Sequence, residues 1–191
     1  MEKTVTSSMP HSCHSCPEHL EILQRTVATA PKQLQMHEWI EWYEKTEWYR
    51  WRAAHPRIRP DLSGADLRSM ELVSIDLSFA NLSGANLSGT SLSSLEGANL
   101  SGADLSGADL IEANLKGANL IDANLTRANL DCAFLHNADL SGANFSEACV
   151  TNAELWGAAI GGVNFSGADL DGTEFSHEIG PDELAEINSD F

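Results

Sequence analysis

Cysteine and histidine crowd into one short stretch near the start of the sequence, HSCHSCPEH over residues 11–19. Cys13 and Cys16 have the spacing that lets two thiolates bind one Zn²⁺ ion. Further ligands are available from three neighbouring histidines, His11, His14 and His19. A second CxxC pair is missing, and a thioredoxin-like motif would need a βαβ context that the sequence lacks. Three interpretations stay open: a flexible tail over residues 1–14 with incidental Cys and His, a zinc site, or a redox-active or partner-linked thiol pair.

Catalytic side chains are not arranged in any pattern that pairs a nucleophile with a base. The many serines occupy the solvent-facing positions of a short repeat. His136 and His177 also fall on outward positions, with no acid that their spacing brings near. Glycine-rich nucleotide-binding motifs and Ca²⁺-binding loops do not occur. We therefore expect neither an enzyme nor any cofactor besides zinc.

Charge divides the 191 residues into regions with different chemistry, and the whole chain has a formal net charge of −17. Residues 1–59 carry eight basic and seven acidic side chains, residues 60–177 carry three and 16, and residues 178–191 carry none and five. So negative a chain lacks the basic stripe that binds nucleic acid and is repelled by anionic membranes. Because no apolar run spans a bilayer and no signal peptide is evident, we expect a cytoplasmic protein.

A period of five residues governs residues 60–177. Every fifth residue from Leu95 to Phe175 is large and apolar, seventeen in succession, and an earlier series runs from Leu62 to Leu87 with Leu92 as a possible further member. Alanine usually lies two residues before each of these positions, Asp or Asn one before, and Gly two after. A five-residue period matches neither a helix nor a plain strand. Each unit must therefore be a short extended stretch followed by a turn, with Gly supplying positive φ.

Strings such as ANLSG, ADLSG and ANLKG resemble the A(D/N)LXX pattern of pentapeptide-repeat proteins. The resemblance covers residues 60–177 and implies that family's fold, a right-handed quadrilateral β-helix with four units per coil. The expected fold class is thus an all-β solenoid of about six coils, with an N-terminal α-helical segment and a short C-terminal helix.

The coil of four five-residue units, which also comes from the resemblance, predicts specific neighbours. Phe145 should stack on Phe165 in the core. An outer column should form from Asp104, Asn124, Asn144 and Asn164, whose amides can bond to each other. Cys132 and Cys149 should lie about 10 Å apart along one face, too far for a disulfide, and remain free thiols.

The repeat slips out of frame within Gly89–Leu95, where three residues are in excess of whole units. We expect a small bulge or loop there, with either Leu92 or Leu95 leaving the core. Such a loop is either a tolerated insertion or a contact surface.

The flanking segments are expected to cap the solenoid, because a β-helix leaves an open core at each end. Residues 15–59 read as two helices, and residues 178–191 as a short cap helix. Aromatic residues that should cover the first coil are Trp39, Tyr43 and Trp51, and the last coil should be covered by Leu184, Ile187 and Phe191. Those C-terminal residues are equally suited to a homodimer contact. The remaining aromatics, Trp42, Trp48 and Tyr49, either pack on the first helix or form a patch for a partner protein.

Three functions remain in view. The first is a non-enzymatic scaffold that binds another protein, with selectivity from the N-terminal helices. The second follows from the resemblance, since quinolone-resistance members mimic DNA and bind DNA gyrase or topoisomerase IV; against it, neutral Asn interrupts the acids, so no face should be uniformly negative. The third is a metal- or redox-responsive adaptor that senses through Cys13 and Cys16.

Overall fold

The structure, a computed structural model, describes residues 52–54, 56–68 and 71–176. Residues 52–54 are helical. The strands in the described part are β1 (Glu71–Asp76), β2 (Ser91–Ser94), β3 (Glu154–Leu155) and β4 (Glu174–Phe175). β1 pairs with β2, and β3 with β4, both in parallel. None of the described helical residues belongs to a helix long and apolar enough to cross a membrane.

Parallel bridges between single residues wind the chain into a β-helix. The residue before each core position bridges to the equivalent residue four units further along the chain, as in the series Asn99, Asn119, Asp139 and Ala159. This register places four units in each coil, as the resemblance implies. Backbone hydrogen bonds of 2.7–3.0 Å join successive coils, for example from Leu120 N–H to the Asp139 carbonyl at 2.7 Å.

The core contains only two kinds of position. The large apolar residues from Leu62 to Leu155 are buried, and so are nearly all the alanines two residues before them. Phe145 stacks on Phe165 with ring centroids 5.3 Å apart, which confirms the predicted pair, and Phe165 meets Phe175 edge to face at 6.5 Å. Burial weakens in the last described coil, where Ile160, Leu170 and Phe175 are only partly covered.

A tight turn separates consecutive units. In the unit that begins at Leu100, the Ala103 N–H donates to the Leu100 carbonyl at 3.0 Å, and Gly102 between them has φ of 62°. This confirms that glycine supplies positive φ at the turn. Among the described residues, eight that are not glycine adopt the same conformation, so the turn is required even where the preferred residue is absent.

The slip within Gly89–Leu95 is a deletion, which corrects the predicted insertion. Leu92 and Leu95 are both buried, at 2% and 0% exposed, so neither leaves the core. β2 carries the chain between them without a turn, and the unit has three residues instead of five. The bridged residues Leu72 and Leu92 are separated by four whole units of sequence. The next bridged pair, Asp76 and Ser94, is separated by two residues fewer. The pairing of β1 with β2 is therefore irregular between Leu72 and Asp76. The expected irregularity is present, but it lies in β1.

The predicted polar column lies in register, and its side chains form a modified ladder. Asn124 Nδ2 donates to Asp104 Oδ1 at 3.0 Å, and Asn164 Nδ2 donates to Asn144 Oδ1 at 3.1 Å. Between these pairs the Thr126 hydroxyl donates to Asn124 Oδ1 at 2.6 Å and accepts from Asn144 Nδ2 at 3.1 Å. The ladder is therefore continuous, with one hydroxyl inserted into it.

Candidate partner-binding face

One face of the β-helix departs from the repeat pattern. Its core column contains Leu115, Leu135 and Leu155, and its outward positions carry aromatic and charged side chains where the other faces carry mainly Ser, Asn, Asp and Gly. We call this surface the aromatic strip, which consists of Glu96, Asn114, Lys116, Phe134, His136, Glu154, Trp156 and Glu174.

A single geometric rule pairs the side chains of the aromatic strip. The residue after a core position in one coil leans toward the residue before the core position in the next coil. Asn114 Nδ2 donates to Glu96 Oε2 at 3.1 Å, and Trp156 Nε1 donates to Glu174 Oε2 at 2.8 Å. Coils are only about 4.8 Å apart, so long side chains reach across easily.

The two middle pairs follow the same rule. Lys116 Nζ lies 4.9 Å from the centre of the Phe134 ring, a cation–π arrangement. His136 Nε2 lies 2.6 Å from Glu154 Oε2 and forms an ion pair when the imidazole is protonated. This contact corrects the expectation that spacing brings no acid near His136. Trp156 is 39% exposed, so part of its indole faces solvent.

At the N-terminal end of the described β-helix, one arginine ties the preceding segment to the first coil. The Arg52 side chain is 10% exposed; its Nη2 donates to the Ser78 carbonyl at 2.8 Å, its Nη1 to the Ile58 carbonyl at 3.1 Å, and its Nε to Asp76 Oδ2 at 3.3 Å. Desolvation raises the pKa of the Asp76 carboxyl, but hydrogen bonds from Ser78 and the charge of Arg52 outweigh it and leave that pKa below its usual value.

On a second face the described charged side chains are all acidic, and we call it the acidic face. Its described acidic side chains are Asp109, Glu112, Asp131, Asp169 and Asp171, and no Lys or Arg lies among its described outward residues. Neutral residues such as Asn129 and Thr151 interrupt these acids, so this face is not uniformly negative, as expected. Asp131 accepts hydrogen bonds from the Thr151 hydroxyl at 2.6 Å and from Asn152 Nδ2 at 3.1 Å, which lower the pKa of its carboxyl.

The acidic face also holds the two cysteines of the repeat, Cys132 and Cys149, and both are free thiols as predicted. Desolvation, reinforced by the neighbouring Asp131 charge, raises the pKa of the Cys132 thiol. A raised pKa leaves less thiolate, which is the reactive form, so this cysteine is not an activated nucleophile.

Most residues singled out in the sequence lie outside the described residues: Cys13, Cys16, His11, His14, His19, Trp39, Trp42, Tyr43, Trp48, Tyr49, Trp51, His177, Leu184, Ile187 and Phe191. Within residues 52–54, 56–68 and 71–176, no group of three or more His, Cys, Asp or Glu side chains is arranged to hold a metal ion.

The aromatic strip was not predicted from the sequence, although the sequence contains a signal for it. Lys116, His136 and Trp156 are spaced by exactly one coil each, so writing the sequence in rows of one coil places them in a single column. The signal is hidden in the five-residue pattern, because each of these residues departs from that pattern at a single unit and their common spacing appears only when whole coils are compared.

Comparisons with known proteins agree with this architecture. The family model described as pentapeptide repeats matches in eight copies, over residues 61–94, 93–127, 118–157 and 151–177. Among curated proteins, none matches the sequence significantly.

Solved structures of similar proteins include three from different sources. A pentapeptide repeat protein (Rfr23) from the cyanobacterium Cyanothece 51142 is 28% identical, with 70% of this chain and 97% of that chain covered and a TM-score of 0.37. One from the Arabidopsis thaliana thylakoid lumen is 29% identical, with coverage of 67% and 70% and a TM-score of 0.34. Trypsin-treated QnrB1, a plasmid-mediated fluoroquinolone resistance protein, is 24% identical, with a TM-score of 0.39; the match covers 68% of this chain and 64% of QnrB1.

Proposed function

The chain belongs to the pentapeptide-repeat family, and from this premise we propose that it is a non-enzymatic protein that binds another protein through the aromatic strip. The proposed architecture is a right-handed quadrilateral β-helix of about six coils, with helical segments at both ends. Members of the family are generally interaction proteins rather than enzymes, which supports the proposal.

The exposed indole of Trp156 is the observation that carries the proposal. The coil does not require a large side chain at the position of Trp156, since serine occupies the equivalent positions 78 and 176 in other coils. The Trp156 side chain lies outside the buried core and is partly exposed, and Trp is strongly enriched among the residues that dominate binding energy at protein interfaces. The paired charges around it resemble the polar rim of such an interface.

Site-directed cross-linking tests the proposal. A photoreactive phenylalanine analogue placed at position 156 in the full chain should cross-link a discrete protein in extracts of the source organism. The matched control is the same analogue at Ile111, which is 45% exposed and occupies the equivalent column of the acidic face. Cross-linked species that are identical at the two positions, or absent from position 156, would overturn the proposal.

The acidic face supports a second candidate, a DNA-mimic inhibitor or protector of DNA gyrase or topoisomerase IV. Its carboxylates share one face without an intervening cation among the described outward residues, and such a surface attracts DNA-binding grooves electrostatically. This clustering on one face supports the candidate better than the total negative charge does. Acidic residues scattered over all faces would be explained equally well by solubility.

A supercoiling assay separates the two candidates. As a mimic, the purified chain should inhibit gyrase or protect it from quinolones, and more strongly at low than at physiological salt. A triple variant of the acidic face, Asp109→Asn, Asp131→Asn and Asp169→Asn, should lose this effect. A control triple on other faces, Asp61→Asn, Asp104→Asn and Asp139→Asn, removes the same charge and should retain it. Absence of any effect at both salt concentrations rules this candidate out.

A further inference from the structure

Phe79 is an aromatic residue at a turn where the following coils have no large apolar side chain. Its equivalents in the next four coils are Gly97, Gly117, Asn137 and Gly157. Phe79 has φ of 59°, a backbone conformation that bulky residues rarely adopt. Strain of this kind persists only where surrounding contacts compensate for it, so its presence is a reason to look for such contacts.

The described neighbours of Phe79 hold its backbone and cover one side of its ring. The Phe79 N–H donates to the Glu96 carbonyl at 2.7 Å, and the Ala80 N–H closes the turn by donating to the Leu77 carbonyl at 3.0 Å. A Cβ atom at Gly97 would come within 2.5 Å of the ring, so the ring lies close to the Gly97 backbone. Phe79 is nevertheless 47% exposed, which leaves the other side of the ring open to a further contact.

The segment that precedes Arg52 joins the β-helix directly beside Phe79. Arg52 Nη2 donates to the carbonyl of Ser78, the residue immediately before Phe79, at 2.8 Å. Residues 48–51 have the sequence WYRW, and we call them the WYRW segment. Because consecutive Cα atoms are about 3.8 Å apart, the whole segment begins within about 15 Å of chain from Arg52. Its three aromatic side chains are therefore tethered within reach of the exposed ring.

From this juxtaposition we propose that the WYRW segment docks its aromatic side chains on the open side of Phe79. Aromatic rings pair edge to face or offset, and such pairs stabilise a contact beyond the burial of their apolar area. Arg50 strengthens the contact, since a guanidinium group stacks on an aromatic face. The proposal assigns Trp48 and Tyr49 to an intramolecular contact on the β-helix. It is separate from the proposed function, because it involves neither Trp156 nor a partner protein.

The covalent attachment favours the WYRW segment over other occupants. Arg52 holds the segment beside the ring, so its effective concentration there is high. A second copy of the chain has no such advantage, and two chains that each carry a net charge of −17 repel one another.

Photo-cross-linking of the purified full chain tests the contact. A photoreactive phenylalanine analogue in place of Phe79 should form an intramolecular cross-link to residues 48–51, which mass spectrometry of a protease digest identifies. The matched control is the same analogue at Ile111, which is 45% exposed on the acidic face and should give no cross-link to that segment. A covalent dimer from position 79, cross-links only to other parts of the chain, or no cross-link at all would overturn the proposal.

Amide exchange in the variant Phe79→Gly tests whether the contact stabilises the WYRW segment. Glycine is the usual residue at this turn in the following coils, so the β-helix should remain folded. Removing the ring should accelerate exchange at residues 48–51 about two- to tenfold, as expected for the loss of an aromatic pair. Ile111→Ser removes a similarly exposed apolar side chain elsewhere and should leave these rates unchanged.

Two results of the exchange experiment would contradict docking. If Phe79→Gly accelerates exchange at Gly97 and leaves residues 48–51 unchanged, the ring serves only local packing. If residues 48–51 already exchange at the rate of an unfolded chain in the wild-type protein, no stable contact with Phe79 exists.

Discussion

Asparagine and aspartate before each core position shape the outer surface of the β-helix one side chain at a time. Their Oδ1 atoms accept from the backbone N–H two residues later, as Asn119 does from Ile121 at 3.0 Å. This local bond was predictable, because Asx side chains bond to nearby backbone regardless of what lies above. The insertion of the Thr126 hydroxyl into the ladder was not predictable, because it depends on a hydrogen bond from Asn144 in the next coil.

Arg52 should contribute more to stability than any exposed arginine of the repeat. Arg52→Ala removes three hydrogen bonds from a nearly buried guanidinium and should lower the free energy of unfolding by about 2 kcal/mol. Arg52→Lys should recover only part of it, since one ammonium group cannot reach all three acceptors. Urea denaturation measures both. The control is Arg127→Ala: its ion pair with Glu147 is exposed, with side chains 70% and 59% accessible, and its loss should change the stability little.

Gly97 should tolerate alanine less well than Gly102, although their backbones match. Both have positive φ, 61° and 62°, so alanine is strained by about 1 kcal/mol at either position. At position 97 a Cβ atom would also come within 2.5 Å of the Phe79 ring, whereas at position 102 nothing lies within 4 Å. Gly97→Ala should therefore cost about 1 kcal/mol more. The excess should disappear when Phe79→Ser is added; an unchanged excess would contradict this explanation.

The coil is the level at which sequence reasoning succeeded most fully. Period, core composition, turn glycines and the Phe145–Phe165 stack all follow from rules that act within one unit or recur once per coil. The short unit between Leu92 and Leu95 was misread because counting residues does not distinguish three extra from two missing. Packing makes that distinction. Leu92 and Leu95 are both buried, and burial of two leucine side chains stabilises the fold more than the omitted turn residues would.

Ile75 should compensate for the alanine that the short unit lacks. It occupies the usual alanine position in the coil before, and it is buried. Inserting Gly-Ala between Ser93 and Ser94 restores a five-residue unit but should overpack this region by about 1–3 kcal/mol. Adding Ile75→Ala should relieve the insertion variant, although it should destabilise the native sequence. A double-mutant cycle from urea denaturation measures the coupling, and simple additivity would refute compensation.

Acid should destabilise the described β-helix as a whole through its hydrogen-bonded carboxylates. Hydrogen bonds hold the pKa values of Asp131 and Asp139 below the ordinary value of 3.8. Groups with lowered pKa values stabilise the fold above about pH 4, and that contribution is lost as pH falls through the folded-state pKa. Neutralising the net charge acts in the opposite direction by relieving repulsion. Asp131→Asn should therefore flatten the decline in unfolding free energy between about pH 5 and pH 2; a curve parallel to wild type would contradict this.

The two ends of the described β-helix should differ in how readily they open. In a solenoid each coil is stabilised mainly by its neighbours, so a terminal coil opens at lower free energy. Leu62 is buried, whereas Ile160 and Leu170 are partly exposed, and within the described residues the N–H groups of Ile160, Phe165 and Leu170 donate to no backbone carbonyl.

Amide exchange in deuterated water should therefore be faster at Ile160, Phe165 and Leu170 than at the equivalent amides one or two coils earlier. The matched amides are those of Leu120, Leu125 and Leu130, which donate to the following coil at 2.7 Å. Equal protection at all six would show that this edge is paired in solution. Repeating the measurement at several protein concentrations then identifies the cover, because protection by a second copy rises with concentration and protection by the chain's own C-terminal segment does not.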